Sequence, residues 1–593
     1  MRKIFVLCIV FICIARINIS AQDLLKEPDL IQQIQDIRSS VFYVKPNDSK
    51  SFRLDDLHKI KKPFRVTMEL TSNPAWYIIP ALSYLVDNQN QSTVEIFNGY
   101  FANSVALYLL NKEVGLDSLL KKWENEPVSD NPENEMHRKI GKMMDTVEIN
   151  NRMADEIAKL QLAQLPDGSW PWFKEMKSNR YITQLICTGI GRLFDMHIYD
   201  NYSDKLNDMG VKAFKYCDNA MTHDYNALVA SKVNIDENHL TSDIITYLYA
   251  RTFWNVPIDF PCEKALYYWQ EQAWNNYQNR TLAEKAMLVS AFYRQGEDSV
   301  YIKIFRSIDK QAIHDDDKGV YWKENSGDEA EKIQAQSLLI EAYNIMRYPT
   351  PEYHTTEGIK KWLMAQRISD HWTTDLATTD AVFALNQNNY IAFMTDKIPA
   401  IRIGSVQFDS SAGKRAGYLF HSWNGNELKP EMENININNI TDYPAWCDIN
   451  ILYKQKGQNV TTNVKGLKVT KQVYYLSGKP YKISHWKRWS RSQKLAANRA
   501  LQISIIVKAD KEMDHVHIND LGELNCAPAP SKEQTTGLLK TDDGLDYELV
   551  VKNNTVDLYI EHLDTKKHTL YSTFYVNKPV NFQDIGLKTE VLY

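Results

Sequence analysis

The hydrophobic period of this chain changes once, near residue 395, and that change limits its folds more than any other feature. From about Asn73 to Asn388, apolar residues recur at three- and four-residue spacing, as in Ala102-Val105-Ala106-Leu109 and Ile333-Leu338-Leu339-Ala342. That is the period of helices with one buried face. Beyond Ile401 the pattern alternates: Gln502-Ile503-Ser504-Ile505-Ile506-Val507-Lys508, Tyr547-Glu548-Leu549-Val550-Val551 and Val556-Asp557-Leu558-Tyr559-Ile560 read as strands. Helices first and strands second predict a multidomain α + β protein, not one α/β sheet. The 593 residues suit about three to five domains of ~100–200 residues.

A theme recurs inside the helical stretch. Lys159-Leu160-Gln161, then Pro166-Asp167-Gly168-Ser169-Trp170, leads into Tyr181-Ile182-Thr183. A second copy is Asp317-Lys318-Gly319-Val320-Tyr321-Trp322 before the helix around Gln334–Tyr343. A third is Trp362-Leu363-Met364-Ala365-Gln366 with His371-Trp372, then Ala377–Leu385. Each is a turn, an aromatic residue and an apolar helix, which predicts stacked helical hairpins that could close into an α/α toroid.

The first residues read as an export signal. Met1-Arg2-Lys3 is basic, Ile4 to Ala15 is apolar, and Ile19-Ser20-Ala21 precedes Gln22, so cleavage is expected after Ala21. The apolar run is too short to span a bilayer, and no later stretch approaches ~18 apolar residues. Bulky Ile12 before Cys13 argues against a lipid anchor. The expected product is soluble and exported, periplasmic or extracellular. The whole chain carries a formal charge of -5, and the leader accounts for three of its 69 basic residues and none of its 74 acidic ones. A mildly acidic protein has no excess of Lys and Arg to displace phosphate counterions, which argues against nucleic-acid binding. Of seven cysteines, Cys187, Cys217, Cys262, Cys447 and Cys526 follow the leader, with no Cys-x-x-Cys. Buried thiols are expected, with Cys187–Cys217 or Cys217–Cys262 disulfides as open alternatives in an oxidising compartment.

Several constellations have a chemical and a plain reading. Asp315-Asp316-Asp317, between His314 and Lys318, reads as a solvated loop. His515 and His517 share one face of a strand and could begin a metal site, but no third ligand is evident. Asp167-Gly168 with Trp170 and Trp172 could stack a sugar, yet suits a turn leading into core aromatics better. The one basic-aromatic stretch runs from Lys482 through Trp486, Lys487, Arg488, Trp489 and Arg491 to Lys494. It is either a contact for lipid headgroups or an acidic partner, or a solvated loop. No His-Glu-x-x-His, Gly-x-Ser-x-Gly or phosphate-loop frame occurs.

Thr71-Ser72-Asn73-Pro74-Ala75-Trp76-Tyr77, Ala81-Leu82-Ser83-Tyr84-Leu85 and Phe97-Asn98 with Phe101-Ala102-Asn103-Ser104 resemble the thioester domain of bacterial α2-macroglobulin-family proteins, of the Bacteroidetes type. The resemblance continues, collinear, through Asn151-Arg152-Met153-Ala154, Leu165 to Phe173 (with Asp167, Gly168, Trp170 and Trp172), Asn179 to Gln184 and Gly191-Arg192-Leu193. It resumes at Tyr321-Trp322-Lys323-Glu324-Asn325, at Gln336 with Leu338 to Ala342, and at Ala377 to Ala381. Ala509 to Asp520 is similar to that family's final sandwich. The resemblance implies an α/α-toroid thioester-like domain inserted in a CUB-like β domain and followed by a receptor-binding-type β-sandwich. The expected boundaries are a signal peptide over 1–21, a linker over 22–41 and the CUB-like domain over 42–71 and 396–465. The toroid would occupy 72–395 and the sandwich 466–593. Asn73, Pro74, Trp76, Tyr77, Asp167, Gly168, Trp170, Trp172, Tyr321 and Trp322 would then be structural motif residues.

Covalently reacting members of that family carry Cys-x-x-Gln shortly after the opening motif, and the sulfur is acylated by the glutamine side chain. Counting from the flanking motifs places this site on Ser92-Thr93-Val94-Glu95. Sulfur is the good leaving group, so serine is not expected to form a reactive acyl link. No cysteine between the leader and Cys187 could replace it. Ser92-x-x-Glu95 fits a capping box before the apolar helix Ile96 to Val105 better. Only ~20 residues separate Gln22 from Phe42, too few for a ~100-residue sandwich, so no bait segment is expected on this chain. The expectation is therefore a truncated, thioester-less, non-catalytic relative of endopeptidase inhibitors. It would bind a protease or another macroglobulin-like subunit without cofactor or metal. An exported α/α-toroid enzyme acting on glycans, or one subunit of a split macroglobulin, is the alternative.

Overall fold

A computed structural model describes residues 36–54, 63–87, 92–113, 115–128, 132–174, 176–316, 318–323, 329–346, 352–367, 370–387, 398–408, 417–425, 427–453, 466–477, 485–489, 494–495, 500–520, 526–528, 537–551, 556–576, 580–581 and 589–592. The leader, Asp317, and Glu324 with Asn325 lie outside them. The chain divides into two compact units, one holding almost all described residues between Ser39 and Asn450, the other those from Ile451 onward.

The first unit opens with strands β1 (Asp36–Val44), β2 (Asp48–Arg53) and β3 (Pro63–Thr71). The helical run follows: α1 (Ile78–Asp87), α2 (Thr93–Lys112), α3 (Leu116–Glu124), α4 (Pro132–Met143), α5 (Thr146–Ala163), α6 (Arg180–Asp195), α7 (Ser203–Ser231), α8 (Ser242–Arg251), α9 (Phe260–Asn276), α10 (Leu282–Gln295) and α11 (Asp298–Asp309). The hairpin β4 (Ile313–Asp315) and β5 (Gly319–Tyr321) precedes α12 (Glu329–Met346), α13 (Glu352–Ala365) and α14 (Asp375–Asn386). Strands β6 (Ala400–Ile403), β7 (Val406–Phe408), β8 (Tyr418–Asn424), β9 (Asn434–Asn439) and β10 (Ala445–Tyr453) end it.

Helix α2 packs on α6, α6 on α8, α8 on α10, α10 on α12, α12 on α14, and α14 returns to α1 and α2. The contacts thus close a ring. Helices α5, α7, α11 and α13 pack against α2, α6, α10 and α12, and α9 against α7. The sequence distinguishes the two sets. In α2 the run from Phe97 to Ala106 is buried on every face, as is Ala377–Leu385 of α14, because these helices have neighbours all round. In α5 only Ile149, Met153, Ile157, Leu160 and Ala163 are buried, a single stripe at helical spacing. Small residues let the inner helices approach: a Cβ on Gly189 of α6 would lie 2.2 Å from the Phe97 ring of α2.

The strands before the helices pair with those after them, in sheets ordered β1-β10-β3-β8 and β2-β9-β6-β7. The helical ring is therefore an insertion into one β framework. The Phe42 and Phe52 rings, one from each sheet, meet at 4.5 Å.

The second unit contains β11 (Leu467–Ser477), β12 (His485–Arg488), β13 (Lys494–Leu495), β14 (Ala500–Ala509), β15 (Met513–Asp520), β16 (Cys526–Pro528), β17 (Gly537–Lys540), β18 (Asp546–Val551), β19 (Val556–Leu563), β20 (Lys567–Val576), β21 (Val580–Asn581) and β22 (Thr589–Leu592). They form sheets β12-β11-β14-β20-β16 and β17-β18-β19-β15-β22, with β13 paired to β21. Leu501, Ile503, Ile505 and Val507 alternate inward from β14 to share one core with Val516, Ile518, Leu549, Leu558 and Ile560 of the other sheet. This is a β-sandwich. Among the described residues, no helix is long and apolar enough to cross a membrane. Cys187, Cys217, Cys262 and Cys447 are buried free thiols.

Candidate functional site

The Ser92–Glu95 segment sits at the N-terminus of α2. Ser92 has extended backbone and Oγ accepts from the Glu95 amide at 3.2 Å, while Glu95 Oε2 accepts from the Ser92 amide at 3.2 Å. Two of the orphan amides that open any helix are thereby satisfied reciprocally. Thr93 anchors the turn elsewhere: its amide donates to Trp172 O at 2.9 Å and its hydroxyl to Pro171 O at 2.7 Å. Both polar ends of the Ser-x-x-Glu pair are therefore engaged with backbone. Removing the Ser92 cap is expected to cost about 1 kcal/mol. Ser92→Ala should show this in denaturant unfolding, whereas Ser92→Asp, which keeps an acceptor there, should lose far less.

Further along α2, Asn103 donates to both oxygens of Glu156 on α5, at 3.1 and 3.2 Å, and accepts from Arg152 Nε at 3.0 Å. Burial pushes the Glu156 carboxyl up to about 8.

The turn-aromatic-helix theme has a shared hydrogen-bond pattern. Trp170 donates its indole N–H to Leu160 O at 3.0 Å, and its amide to the Thr183 hydroxyl. Trp372 donates its indole N–H to Leu363 O at 2.8 Å, and its amide to the Thr378 hydroxyl. Asn179 and Thr374 cap the following helices. Trp322 donates to Ile308 O at 2.9 Å. Each indole thus ties back to a carbonyl near the end of the preceding helix, and at Trp170 and Trp372 the amide also bonds a threonine in the first turns of the next. Asp167 accepts from the Ser169 amide and hydroxyl, and Gly168 turns at φ +92° with no room for a side chain beside Lys212 O. Trp170 and Trp172 are buried, so neither offers a face to a sugar. Asn73 stands just before the short 3₁₀ turn Pro74–Tyr77, where Trp76 stacks on Tyr418. Tyr321 ends β5.

Two buried ionic clusters were not assigned any role from sequence. In the ring, Arg192 of α6 pairs with Asp380 of α14. Arg294 of α10 donates to Glu341 of α12 at 2.7 Å and lies 3.6 Å from Asp195. The Tyr249 hydroxyl of α8 meets Glu341 at 2.5 Å. Burial raises the Asp380 and Asp195 carboxyls against the pull of their arginines. A glycan hydrolase needs two carboxyls facing a bond across a cleft. Here the acids face two guanidiniums, which themselves lie over the Phe383 and Phe253 rings, so the arrangement is an internal counter-charged clamp.

The second cluster centres on Arg367, whose side chain is fully buried. It donates to Asp448 of β10 at 3.0 Å, lies 3.6 Å from Glu69 of β3, and sits over the Tyr77 ring at 4.7 Å. Burial raises the Glu69 carboxyl and pushes Asp448 up to about 7.

The remaining sequence candidates are occupied by structure. Asp315 ends β4 and Asp316 lies in the turn to β5, where the Asp315 carboxylate accepts from the Lys318 amide. His517 bonds Asp557 at 2.7 Å and stacks on Tyr559. Among the described residues, no group of three or more His, Cys, Asp or Glu is arranged to hold a metal ion. The basic-aromatic stretch splits: Trp486, Lys487 and Arg488 are exposed on β12, whereas Trp489 enters the sandwich core.

No family model matches the sequence, and no curated protein matches it. Solved structures do match the fold. A native α2-macroglobulin fragment from Escherichia coli, spanning domain MG7 to the C-terminus, aligns over 92% of this chain and 78% of its own, at 13% identity and a TM-score of 0.54. The chain is folded like the C-terminal part of a bacterial α2-macroglobulin. Native E. coli α2-macroglobulin matches at 12% identity and a TM-score of 0.55 over 92% of this chain and 31% of its own. Salmonella α2-macroglobulin reacted with methylamine matches at 12% and 0.54, over 92% and 32%. Against these two longer α2-macroglobulins the chain spans about a third of their length. At such identities the likeness is one of fold.

Proposed function

We propose that this chain is an exported α2-macroglobulin-like protein that binds other proteins without covalent capture. In this reading the helical ring is the α/α toroid of a thioester-type domain. Strands β1–β3 and β6–β10 are the two parts of a CUB-like domain, and β11–β22 form a receptor-binding-type sandwich. Ser92-Thr93-Val94-Glu95 then stands where reactive relatives carry their thioester. The observation that carries the non-covalent reading is the reciprocal Ser92–Glu95 cap. Forming an acyl link would require Glu95 to leave the Ser92 amide and the Ser92 oxygen to displace water from the Glu95 carboxyl, giving an ester whose alkoxide is a poorer leaving group than a thiolate. The helix would lose its cap in exchange. A non-catalytic partner-binding role follows, with a protease or a macroglobulin-like subunit as the partner class and no cofactor.

The Salmonella α2-macroglobulin was solved after reaction with methylamine, and the same amine tests this chain. Intact and peptide mass measurements with and without methylamine are expected to be identical over the Ser92–Glu95 peptide. An adduct there would overturn the reading. Mixed with trypsin or elastase as probes, any complex is expected to dissociate completely on denaturation.

A further inference from the structure

Helix α9 buries Cys262, Ala265, Trp269, Gln272 and Ala273 against the rest of its unit. Its opposite side is aromatic: Phe260 is 85% exposed, Tyr267 68% and Trp274 41%. These three are seven residues apart. A straight helix drifts only about 20° over seven residues, so they form one ridge, about 21 Å long at 1.5 Å per residue. Exposed Lys264 and Glu271, also seven apart, lie together to one side of that line, where the Lys264 ammonium also reaches over the Tyr225 ring at 5.7 Å. To the side of the ridge, Tyr268 donates to Ile235 O at 3.0 Å, which holds exposed Ile235 against the helix as an apolar flank. Solvent-facing aromatics in such a line mark a contact surface.

We infer that this ridge is a self-association surface on which a second copy of the chain docks its own α9, antiparallel, about a two-fold axis at Tyr267. A two-fold interface requires that if residue i meets residue j, then j meets i. The ridge satisfies this. With Tyr267 on the axis, Phe260 faces Trp274 of the second copy and Trp274 faces its Phe260. Lys264 then falls within one residue of the second copy's Glu271, and the reverse. A parallel arrangement would set Lys264 beside Lys264 and Glu271 beside Glu271. The charge pattern therefore selects the antiparallel pairing.

The area places the interface at the weak end of the size range. A buried aromatic side chain contributes about 150–250 Å², and three partly exposed ones per copy, with the flank, reach only the ~1,000 Å² floor for a specific interface. The dimer is weak and reversible, with a Kd of about 10–100 μM, which bulk binding methods resolve.

Sedimentation velocity of the full chain, from about 1 to 300 μM, tests this. A concentration-dependent monomer–dimer shift is expected. Tyr267→Glu puts two carboxylates on the axis and should weaken the dimer at least about tenfold, with the far-UV spectrum and unfolding midpoint unchanged because Tyr267 is exposed. Lys264→Glu and Glu271→Lys should each weaken it about threefold to tenfold, and the double swap should restore it. A chain that stays monomeric throughout overturns the proposal. So does a dimer indifferent to Tyr267→Glu, a double swap that fails to rescue, or a ridge that binds only a different protein.

Discussion

Arg367→Met is expected to be the most damaging single substitution in the larger unit, lowering its stability at pH 8 by about 3–5 kcal/mol. The methionine fills most of the volume but leaves Asp448 and Glu69 buried with no counter-charge. The cost must be pH-dependent, and its sign follows from the raised carboxyls. Asp448 titrates near 7 in the folded chain and Glu69 is also raised, both because burial disfavours their charge. Unfolded, they ionise near 4. As pH rises above about 4, the unfolded state loses its protons before the folded state does, so these groups subtract stability with increasing pH. Without Arg367 the folded values climb further and the penalty deepens. Denaturant unfolding should therefore show a small difference from wild type at about pH 4 and the full difference at pH 8. A loss of equal size at both pH values would mean that packing, not uncompensated charge, is responsible. The site also matters topologically. Arg367 follows α13, while Glu69 and Asp448 lie on strands from either side of the helical insertion, so the cluster pins the ring to its β framework.

Trp170→Ala is expected to cost about 3–5 kcal/mol, the range for truncating a buried large aromatic. Trp170 is among the largest fully buried side chains. Its loss opens a cavity and leaves Leu160 O without the indole donor. Trp170→Phe keeps most of the apolar volume but not that donor; Leu160 O still accepts from the Gln164 amide, so the loss should be only that of one hydrogen bond, about 1 kcal/mol. Trp372→Ala, at the equivalent place in another copy of the theme, should resemble Trp170→Ala. Leu162→Ala, on the exposed side of α5 at 70% exposure, should stay within about 0.5 kcal/mol. Urea unfolding followed by tryptophan-independent far-UV signal separates these cases. If Trp170→Ala and Leu162→Ala were indistinguishable, the indole ties would not be structural.

Much of the architecture is local and was therefore readable. The change of period near residue 395 reappears as the helical ring followed by strands. The Trp170, Trp322 and Trp372 copies, recognised as turn-aromatic-helix, prove to share one indole-to-carbonyl tie. Ser92 and Glu95 are three residues apart, and a capping box depends only on that spacing. Less was readable about the buried charges. Arg192, Glu341 and Asp380 lay within quoted motifs, yet nothing in their neighbourhoods says that they meet. Arg192 and Asp380 are 188 positions apart. The α9 ridge was missed for a different reason: Phe260, Tyr267 and Trp274 have the spacing of a core stripe, and only burial shows that the core lies on the other side.

By itself, then, the sequence determined what short-range geometry can enforce. That covers the period of each segment, the caps, the turns at Gly168 and Gly319, and the absence of a cysteine near residue 92. The tertiary structure alone decided which charges are buried together and which aromatic stripe faces water. A buried ion pair depends on the helices and strands that exclude solvent around it, and a stripe is core or surface according to what packs against it. Those neighbours come from distant parts of the chain, and ring closure and strand pairing across the insertion bring them into place.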